Sequence, residues 1–351
     1  THFLQPSGAK FLRPHGGAKV LHGISFEVES GSALGLLGRN GAGKTTTIRI
    51  IMDVFKADEG EVYLDDEPFN PKKHLIGYLP EERGLYPKKT VLEQIVYLTR
   101  LRGLSKKEAV SNAKKWLKRL EIDEYANRKL ETLSKGNQQK VQLASTLACE
   151  PEIVILDEPF SGLDPVNSKI LQDVVTEVIN EGRIVIFSSH QMSYVEEFCR
   201  DIAIIDKGNI ALAGNLKDIK RQYGENQLVI SDVNMGLDEL SQIIKDNVSD
   251  IITETGRTRE EIIVRNINGV SRADILKRMI ACGIEIEHFE TYKPSLNDIF
   301  VSLVGDDMED DKVVDYKNNS NDDNSYNRDI VDELPQGEIS EHKKSVEGGV
   351  R

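Results

Sequence analysis

The chain has 351 residues, more than a single hydrophobic core usually supports, so its length predicts about two domains. The formal net charge is −13, which disfavours a protein that binds nucleic acid through bulk positive charge. Its three cysteines are widely spaced and fit neither a disulfide framework nor a metal-binding pair. The longest apolar runs, such as 153–156, are far shorter than the roughly 20 residues that cross a bilayer. We therefore expect a cytoplasmic protein.

The first 60 residues are predicted to form an irregular N-terminal arm followed by two strands and a helix. Residues 1–19 contain several prolines and glycines and predict an irregular N-terminal arm. The alternating pattern over 24–28 and the apolar run over 33–37 predict two strands. A glycine-rich loop and a helix over 44–54 follow.

The middle of the chain combines a helical insert with alternating strands and helices. Capping patterns at 90–93 and 105–108 begin two helices of an insert that spans about 90–135. Helices and strands then alternate at 137–149, 153–156, 167–181, 184–187, 191–199 and 202–206. This alternation predicts a mostly parallel sheet with helices on both faces, and thus an α/β domain over 20–224.

The pattern changes after residue 224. A small α+β accessory domain is predicted over 225–304. Its strands are predicted at 227–233, 260–266 and 284–290, and its helices at 236–246, 271–282 and 295–304. Residues 305–351 hold 14 acidic and 6 basic residues and few large apolar ones, which predicts a disordered acidic tail.

A phosphate-binding loop is the most specific motif. The segment 38–46 fits GxxxxGK[ST], follows a predicted buried strand and opens a helix, as this motif requires. Lys44 is expected to reach the β- and γ-phosphates, and the Thr45 hydroxyl to bind Mg²⁺. The alternative is a glycine turn that matches by chance. The predicted ATP-binding residues are Gly38, Asn40, Gly41, Ala42, Gly43, Lys44, Thr45 and Thr46.

Two further polar groups follow predicted strands. Asp157 and Glu158 end the apolar run 153–156, and His190 comes shortly after 184–187. At the carboxyl edge of a parallel sheet, Asp157 would hold Mg²⁺, Glu158 would deprotonate the attacking water, and His190 would contact the γ-phosphate. The alternatives are a solvated acidic turn and a structural or surface histidine.

Together these motifs resemble the ATP-binding subunits of the ABC transporter family. The segment 133–139 is similar to the LSGGQ signature of that family, with Ser134, Gly136 and Asn137 as its ligands to ATP. The resemblance implies a head-to-tail dimer in which this signature closes over the ATP of the partner protomer, with Asp164 at the dimer contact. The alternative for 133–139 is an ordinary helix cap.

The accessory segment adds a second, less specific resemblance. Residues 294–300 are similar to the end of a domain found in sodium-export and drug-export ATPases of the family. This resemblance implies a subunit that lies at the inner face of the membrane and energises a separate permease, with no nucleic acid partner. The alternative function is a soluble ABC ATPase that acts on a macromolecular complex rather than on transport.

Four positions depart from the commonest family pattern. Glu81 stands where a neutral metal ligand is usual, and it is either an uncertain Mg²⁺ ligand or a solvated loop residue. Lys135 and Asn137 replace a glycine and a glutamine of the signature. His15 lies near the position of the aromatic residue that stacks on adenine, and either its ring takes that role or residues 1–19 are a truncated or misread start that lacks an edge strand.

Overall fold

The computed structural model of the protein describes residues 3–12, 19–82, 84–267 and 269–305. Its strands are β1 (Phe3–Leu12), β2 (Lys19–Ile24), β3 (Val28–Glu29), β4 (Ser32–Leu37), β5 (Glu59–Leu64), β6 (Glu67–Pro68), β7 (Ile76–Leu79), β8 (Ile153–Asp157), β9 (Ile184–Ser188), β10 (Asp201–Asp206), β11 (Asn209–Asn215), β12 (Gln227–Asp232), β13 (Ile252–Arg257), β14 (Ile262–Asn266) and β15 (Ile286–Thr291). Its α-helices are α1 (Lys44–Ile51), α2 (Val91–Leu101), α3 (Lys106–Arg119), α4 (Lys135–Leu147), α5 (Pro165–Asn180), α6 (Met192–Phe198), α7 (Leu216–Tyr223), α8 (Leu237–Asn247), α9 (Arg272–Ala281) and α10 (Leu296–Val304).

The largest sheet has six strands in the order β11-β10-β4-β9-β8-β7, and all neighbours are parallel except the edge strand β11. The residues of β4, β8 and β9 are buried along their whole length, as a parallel sheet covered on both faces requires. Ser188 of β9 lies in register with Leu36 on one side and with Asp157 on the other. The three central strands therefore end at the same level, and the predicted α/β fold is confirmed.

The N-terminal arm is a strand over part of its length, so the prediction of an irregular segment is wrong for residues 3–12. Strand β1 pairs antiparallel with β2, β3 and β5 in a second sheet. Pro6 pairs with Val62 of β5 and lies between the parts of β1 that pair with β3 and β2, where a missing N–H is tolerated. Pairing with distant strands outweighs the local prolines and glycines, which a reading of composition does not capture.

The helical insert contains α2 and α3, followed by two short 3-10 turns at Asp123–Tyr125 and Leu130–Thr132. Ser105 caps α3 in a complete capping box with Glu108, as predicted. Trp116 of α3 is fully buried in the core cluster that also contains residues of β4, β8 and β9. The insert thus shares a core with the parallel sheet, in which α3 packs against α2 and α4, and α4 packs against β7.

The C-terminal sheet has four antiparallel strands in the order β13-β14-β12-β15, one more strand than predicted. Strand β13 has a register shift near Gly256, and its first residue is buried while most of the others are polar and more exposed. Its sequence therefore gives only a weak prediction of a strand. Helices α8 and α9 cover this sheet and share a separate core with it.

Helix α10 departs from this arrangement, because its buried residues Leu296, Ile299 and Val304 belong to the core of the parallel sheet. The division at residue 224 stays a prediction, since the described residues fall in one compact unit. The predicted tail from residue 306 onward lies outside the described residues. Among the described residues, no helix combines the length and the apolar character needed to cross a bilayer.

Replacing Trp116 by alanine is expected to lower the free energy of unfolding by about 3–5 kcal/mol, because it leaves a large cavity in a fully buried site. Chemical denaturation measures this loss. Tyr97→Ala on the neighbouring α2 is the matched control, since the side chain of Tyr97 is 52% exposed. An equal loss in both variants would show that Trp116 does not anchor the insert.

Candidate functional site

The glycine-rich loop 38–43 connects β4 to α1. Gly38 has φ of 155° and Gly43 has φ of 117°, both outside the range of ordinary side chains. A Cβ atom at Gly38 would lie 2.4 Å from the carbonyl oxygen of Ile205, and one at Gly43 would lie 2.6 Å from Cδ2 of Leu21. The loop therefore needs glycine at both positions to lie this close to its surroundings.

Lys44 begins α1 and points its ammonium group back into the loop. Its Nζ donates to the carbonyl oxygens of Gly38 at 2.7 Å and Arg39 at 3.2 Å. Burial lowers the pKa of Lys44, and the nearby charges of Glu158 and Asp157 partly offset this. The cation is thus held next to the loop in the absence of an anion.

Most of the predicted nucleotide and catalytic residues line one open groove of ≈ 1460 Å³. The predicted residues in this groove are Gly38, Asn40, Gly41, Gly43, Lys44, Thr45, Thr46, Glu81, Asp157, Glu158 and His190. Ala42, which belongs to the same loop, does not line the groove because its side chain is buried. Its N–H donates to the carbonyl oxygen of Arg39 at 3.1 Å. The predicted aromatic position His15 lies outside the described residues.

The acidic pair lies where β8 ends. Asp157 is the last residue of the strand, and burial raises the pKa of its carboxyl, with a further contribution from the charges of Glu81 and Glu158. Glu158 has φ of 50°, a left-handed conformation that is uncommon for this residue type. Its N–H donates to the carbonyl oxygen of Ser188 at 2.9 Å, which fixes the turn against β9. Such strain is often found at functional sites.

Glu158 and His190 are in direct contact. Nδ1 of His190 lies 2.8 Å from Oε1 of Glu158, and the backbone N–H of His190 donates to the same oxygen at 2.8 Å. The Ser189 hydroxyl donates to Oε2 of Glu158 at 3.3 Å. The His190 side chain is 65% exposed whereas that of Glu158 is 10% exposed, so the histidine forms the solvent side of the pair.

The oxygen atoms near Lys44 suit a hard divalent cation. Thr45, Glu81 and Asp157 line the same groove and supply a hydroxyl and two carboxylates, the donors that Mg²⁺ prefers. Tyr78 of β7 lies beside them, and burial together with the charge of Asp157 raises its pKa to about 12. Its phenol therefore stays protonated and can donate to the carboxylate. The residues present fit a magnesium ion completed by nucleotide phosphates.

The signature residues form a second cluster. Ser134 caps α4 and accepts from the N–H of Asn137 at 3.3 Å. A Cβ atom at Gly136 would lie 2.8 Å from Nδ2 of Asn167. Asn167 in turn donates through its backbone N–H to Asp164 at 3.0 Å. The beginnings of α4 and α5 therefore bring the signature and Asp164 together, and none of these residues is among the described residues that line the phosphate groove.

Sequence reasoning did not identify several residues of the two clusters. Ser189 and Asn167 lie next to predicted functional positions but carry no pattern of their own, and Tyr78 becomes visible only once β7 is known to lie beside β8. The groove also contains Asn297, Phe300 and Val301 of α10. These three residues are far from the phosphate loop along the chain, so no local sequence pattern predicts that they line the groove.

Comparison with known proteins identifies two family matches. The family described as ABC transporter matches residues 21–161. The family described as the C-terminal domain of DrrA1-3-like ATP-binding proteins matches residues 214–304. The second match begins within β11, before the division at residue 224.

Individual relatives cover most of the chain. It is 41% identical to an uncharacterised ABC transporter ATP-binding protein, YhaQ, of Bacillus subtilis, over 83% of this chain and 95% of that protein. It is 30% identical to the linearmycin resistance ATP-binding protein LnrL of the same organism, over 85% and 97% of the two chains. The solved dimeric structure of a bacterial ABC transporter cassette aligns with a TM-score of 0.55 and 25% identity, over 62% of this chain and 99% of that one.

Asp157→Asn is expected to raise the thermal midpoint of the nucleotide-free chain at neutral pH. Because burial raises the pKa of Asp157 above its ordinary value of 3.8, the charged form is less stable in the folded chain than in the unfolded chain. This cost is absent below pH 3.8, grows as the pH rises from 3.8 to the raised pKa, and stays constant above it. Thermal melts across this range measure it.

Asp123→Asn, in an exposed turn, is the matched control and should change the midpoint little at any pH. A lower midpoint for Asp157→Asn at neutral pH would contradict the assignment of a desolvated carboxylate.

Proposed function

Because this chain belongs to the ATP-binding proteins of the ABC transporter family, we propose that it hydrolyses ATP in the groove above the phosphate loop and thereby drives a separate membrane permease. The observation that carries the proposal is that the loop, the acidic pair and His190 meet at one edge of the sheet. Each follows a different parallel strand, and ligands of such sheets bind at this edge.

The phosphate loop is proposed to bind the β- and γ-phosphates. Its backbone N–H groups and the beginning of α1 offer positive potential to the anion. Lys44 exchanges the carbonyl oxygens of Gly38 and Arg39 for phosphate oxygens when the nucleotide enters. The adenine ring would lie on the side where His15 is predicted to stack.

Thr45, Asp157 and Glu81 are proposed to hold Mg²⁺ together with the nucleotide. When bound, the ion neutralises charge on the phosphates. Asp157 must be ionised to accept it, and the tendency of burial to keep its proton is opposed by the cation Lys44. The protonated phenol of Tyr78 lies beside the same carboxylate and can donate to it.

Glu158 is proposed to accept the proton of the attacking water, and His190 to contact the γ-phosphate. The two side chains share a hydrogen bond in the nucleotide-free chain, which holds both beside the loop. The exposed imidazole can turn from Glu158 to an incoming phosphate without disturbing the core. A Glu158 oxygen is then free to bind and orient the water.

A head-to-tail dimer is proposed to complete the site. Each chain contains a phosphate groove and a separate signature cluster around Ser134 and Gly136, and these do not face one nucleotide within a chain. A second protomer rotated by half a turn would place its signature over the groove of the first, with Asp164 near the shared contact. Two ATP molecules would then lie between the protomers.

Export of a drug-like or ionic substrate is the proposed transport reaction. The supporting observations are the accessory domain match over residues 214–304 and the similarity to a protein whose name refers to linearmycin resistance. Substrate choice would belong to the permease. We further propose that the chain lies at the inner face of the membrane, held there by that partner.

Glu158→Gln is expected to reduce steady-state phosphate release by roughly 10²- to 10⁴-fold, because the amide cannot accept a proton. ATP binding should persist, since the amide keeps the size of the side chain. Phosphate release and the binding of a fluorescent ATP analogue are measured side by side. Glu152→Gln, at an exposed carboxylate paired with His74, is the matched control. Undiminished release in Glu158→Gln would remove Glu158 from this role.

Ser134→Arg is expected to prevent ATP-dependent dimerisation, because a long cation replaces the small cap that faces the partner nucleotide. Light scattering with and without ATP, in the Glu158→Gln background, measures the effect. Ser105→Arg is the matched control, since Ser105 is also an exposed helix cap and its loss costs only about 1 kcal/mol of stability. An ATP-dependent dimer that survives Ser134→Arg would contradict the head-to-tail arrangement.

A further inference from the structure

Helix α10 extends from the accessory segment to the wall of the phosphate groove. Leu296 and Ile299 are buried in the core of the parallel sheet. Phe300, which packs against the same core, and Val301 line the groove together with the phosphate loop. The last helix of the accessory segment therefore contacts the nucleotide site within the same chain.

The C-terminal end of α10 is bound by the phosphate loop itself. The Arg39 guanidinium donates to the carbonyl oxygen of Val304 at 2.5 Å. A helix leaves its last carbonyl oxygens without partners and carries partial negative charge at that end, where a cation is favourable. The last turn of α10 contains no basic residue of its own. Arg39, the second residue of the phosphate loop, supplies the cation instead.

The N-terminal end of α10 is bound to the segment that follows His190. The backbone N–H of Leu296 donates to Oε1 of Glu196 at 2.5 Å. Glu196 lies on α6, which begins two residues after His190, and Lys220 of α7 donates to the same carboxylate oxygen at 3.1 Å. The two ends of α10 are thus attached to two different segments, the phosphate loop and α6, each of which contributes residues to the groove.

We propose that α10 is a strut that holds the phosphate loop and the His190 segment at a set spacing, and that Arg39 is the positioning residue that joins this strut to the loop. The proposal rests on the nucleotide site proposed above. Arg39 also contributes the carbonyl oxygen that accepts from Lys44, so movement of its backbone is passed to the lysine. A loop held by the strut loses less freedom when it binds phosphate, which strengthens binding.

The strut makes nucleotide binding and the accessory domain mutually dependent. If α10 stabilises the ATP-binding form of the loop, ATP must stabilise the docked form of α10 by the same factor. A permease or second protomer that moves the accessory domain would then alter ATP affinity without touching the groove.

Arg39→Ala in the full chain tests this proposal. We expect ATP affinity, measured with a fluorescent ATP analogue and Mg²⁺, to fall roughly five- to tenfold, at the low end of couplings between sites because the guanidinium is partly exposed. Arg39→Lys should restore most of the affinity, since an ammonium group can still donate to the Val304 carbonyl. Hydrogen exchange of residues 296–305 should slow when ATP binds to the wild-type chain and should not respond to ATP in Arg39→Ala.

Two controls separate the strut from the site on which it depends. Arg259→Ala removes an exposed arginine between β13 and β14 and should leave both ATP affinity and the exchange response unchanged. Lys44→Ala should abolish binding; a variant that still binds ATP would overturn the proposed nucleotide site and the strut together. If Lys44→Ala loses binding but Arg39→Ala binds ATP like the wild type, or residues 296–305 ignore ATP in the wild-type chain, the strut alone is overturned.

Discussion

The register of three parallel strands is the constraint on which the functional site depends. Leu36, Ser188 and Asp157 lie side by side at the ends of β4, β9 and β8, and the chain leaves the sheet just beyond each of them. The phosphate loop, His190 and Glu158 follow within a few residues. A shift of one strand by a single residue would reverse the faces of its side chains and separate these groups. The apolar residues that fill these three strands thus position the polar chemistry, although none of them is among the described residues that line the groove.

The features that could be predicted from the sequence are those encoded over a few neighbouring residues. The loop at 38–46, the acidic pair and the capping box at Ser105 each follow from residue types at fixed spacing. The features that could not be predicted depend on partners far along the chain. Strand β1 exists because β2 and β5 pair with it despite Pro6, and Tyr78 joins the site only because β7 lies beside β8. Local composition contains no information about such pairings.

The accessory segment shows the same division between local and distant information. Its helices have clear periodicity, and α10 begins close to the predicted residue 295. Its sequence does not show that the apolar side of α10 enters the core of the parallel sheet rather than the core beneath β12. A boundary placed at residue 224 from the pattern of strands and helices therefore separates elements that pack together. The family match begins at residue 214, inside β11, and so also divides a strand of the larger sheet.

Lys44 already has two hydrogen-bond partners before any nucleotide arrives. When a nucleotide enters, its charged phosphate oxygens compete with the neutral carbonyl oxygens for the ammonium group of Lys44. The number of hydrogen bonds that Lys44 donates need not increase. Lys44 then prefers the phosphate oxygens because they are charged, so added salt should reduce the affinity of the loop for the phosphates. The displaced carbonyl oxygen of Gly38 must find water or another donor, since an unpaired buried acceptor costs about 1–3 kcal/mol, whereas that of Arg39 keeps the N–H of Ala42 as a donor. We therefore expect the phosphate loop to select against weakly charged anions, whose oxygens attract Lys44 little more than its own carbonyl partners do.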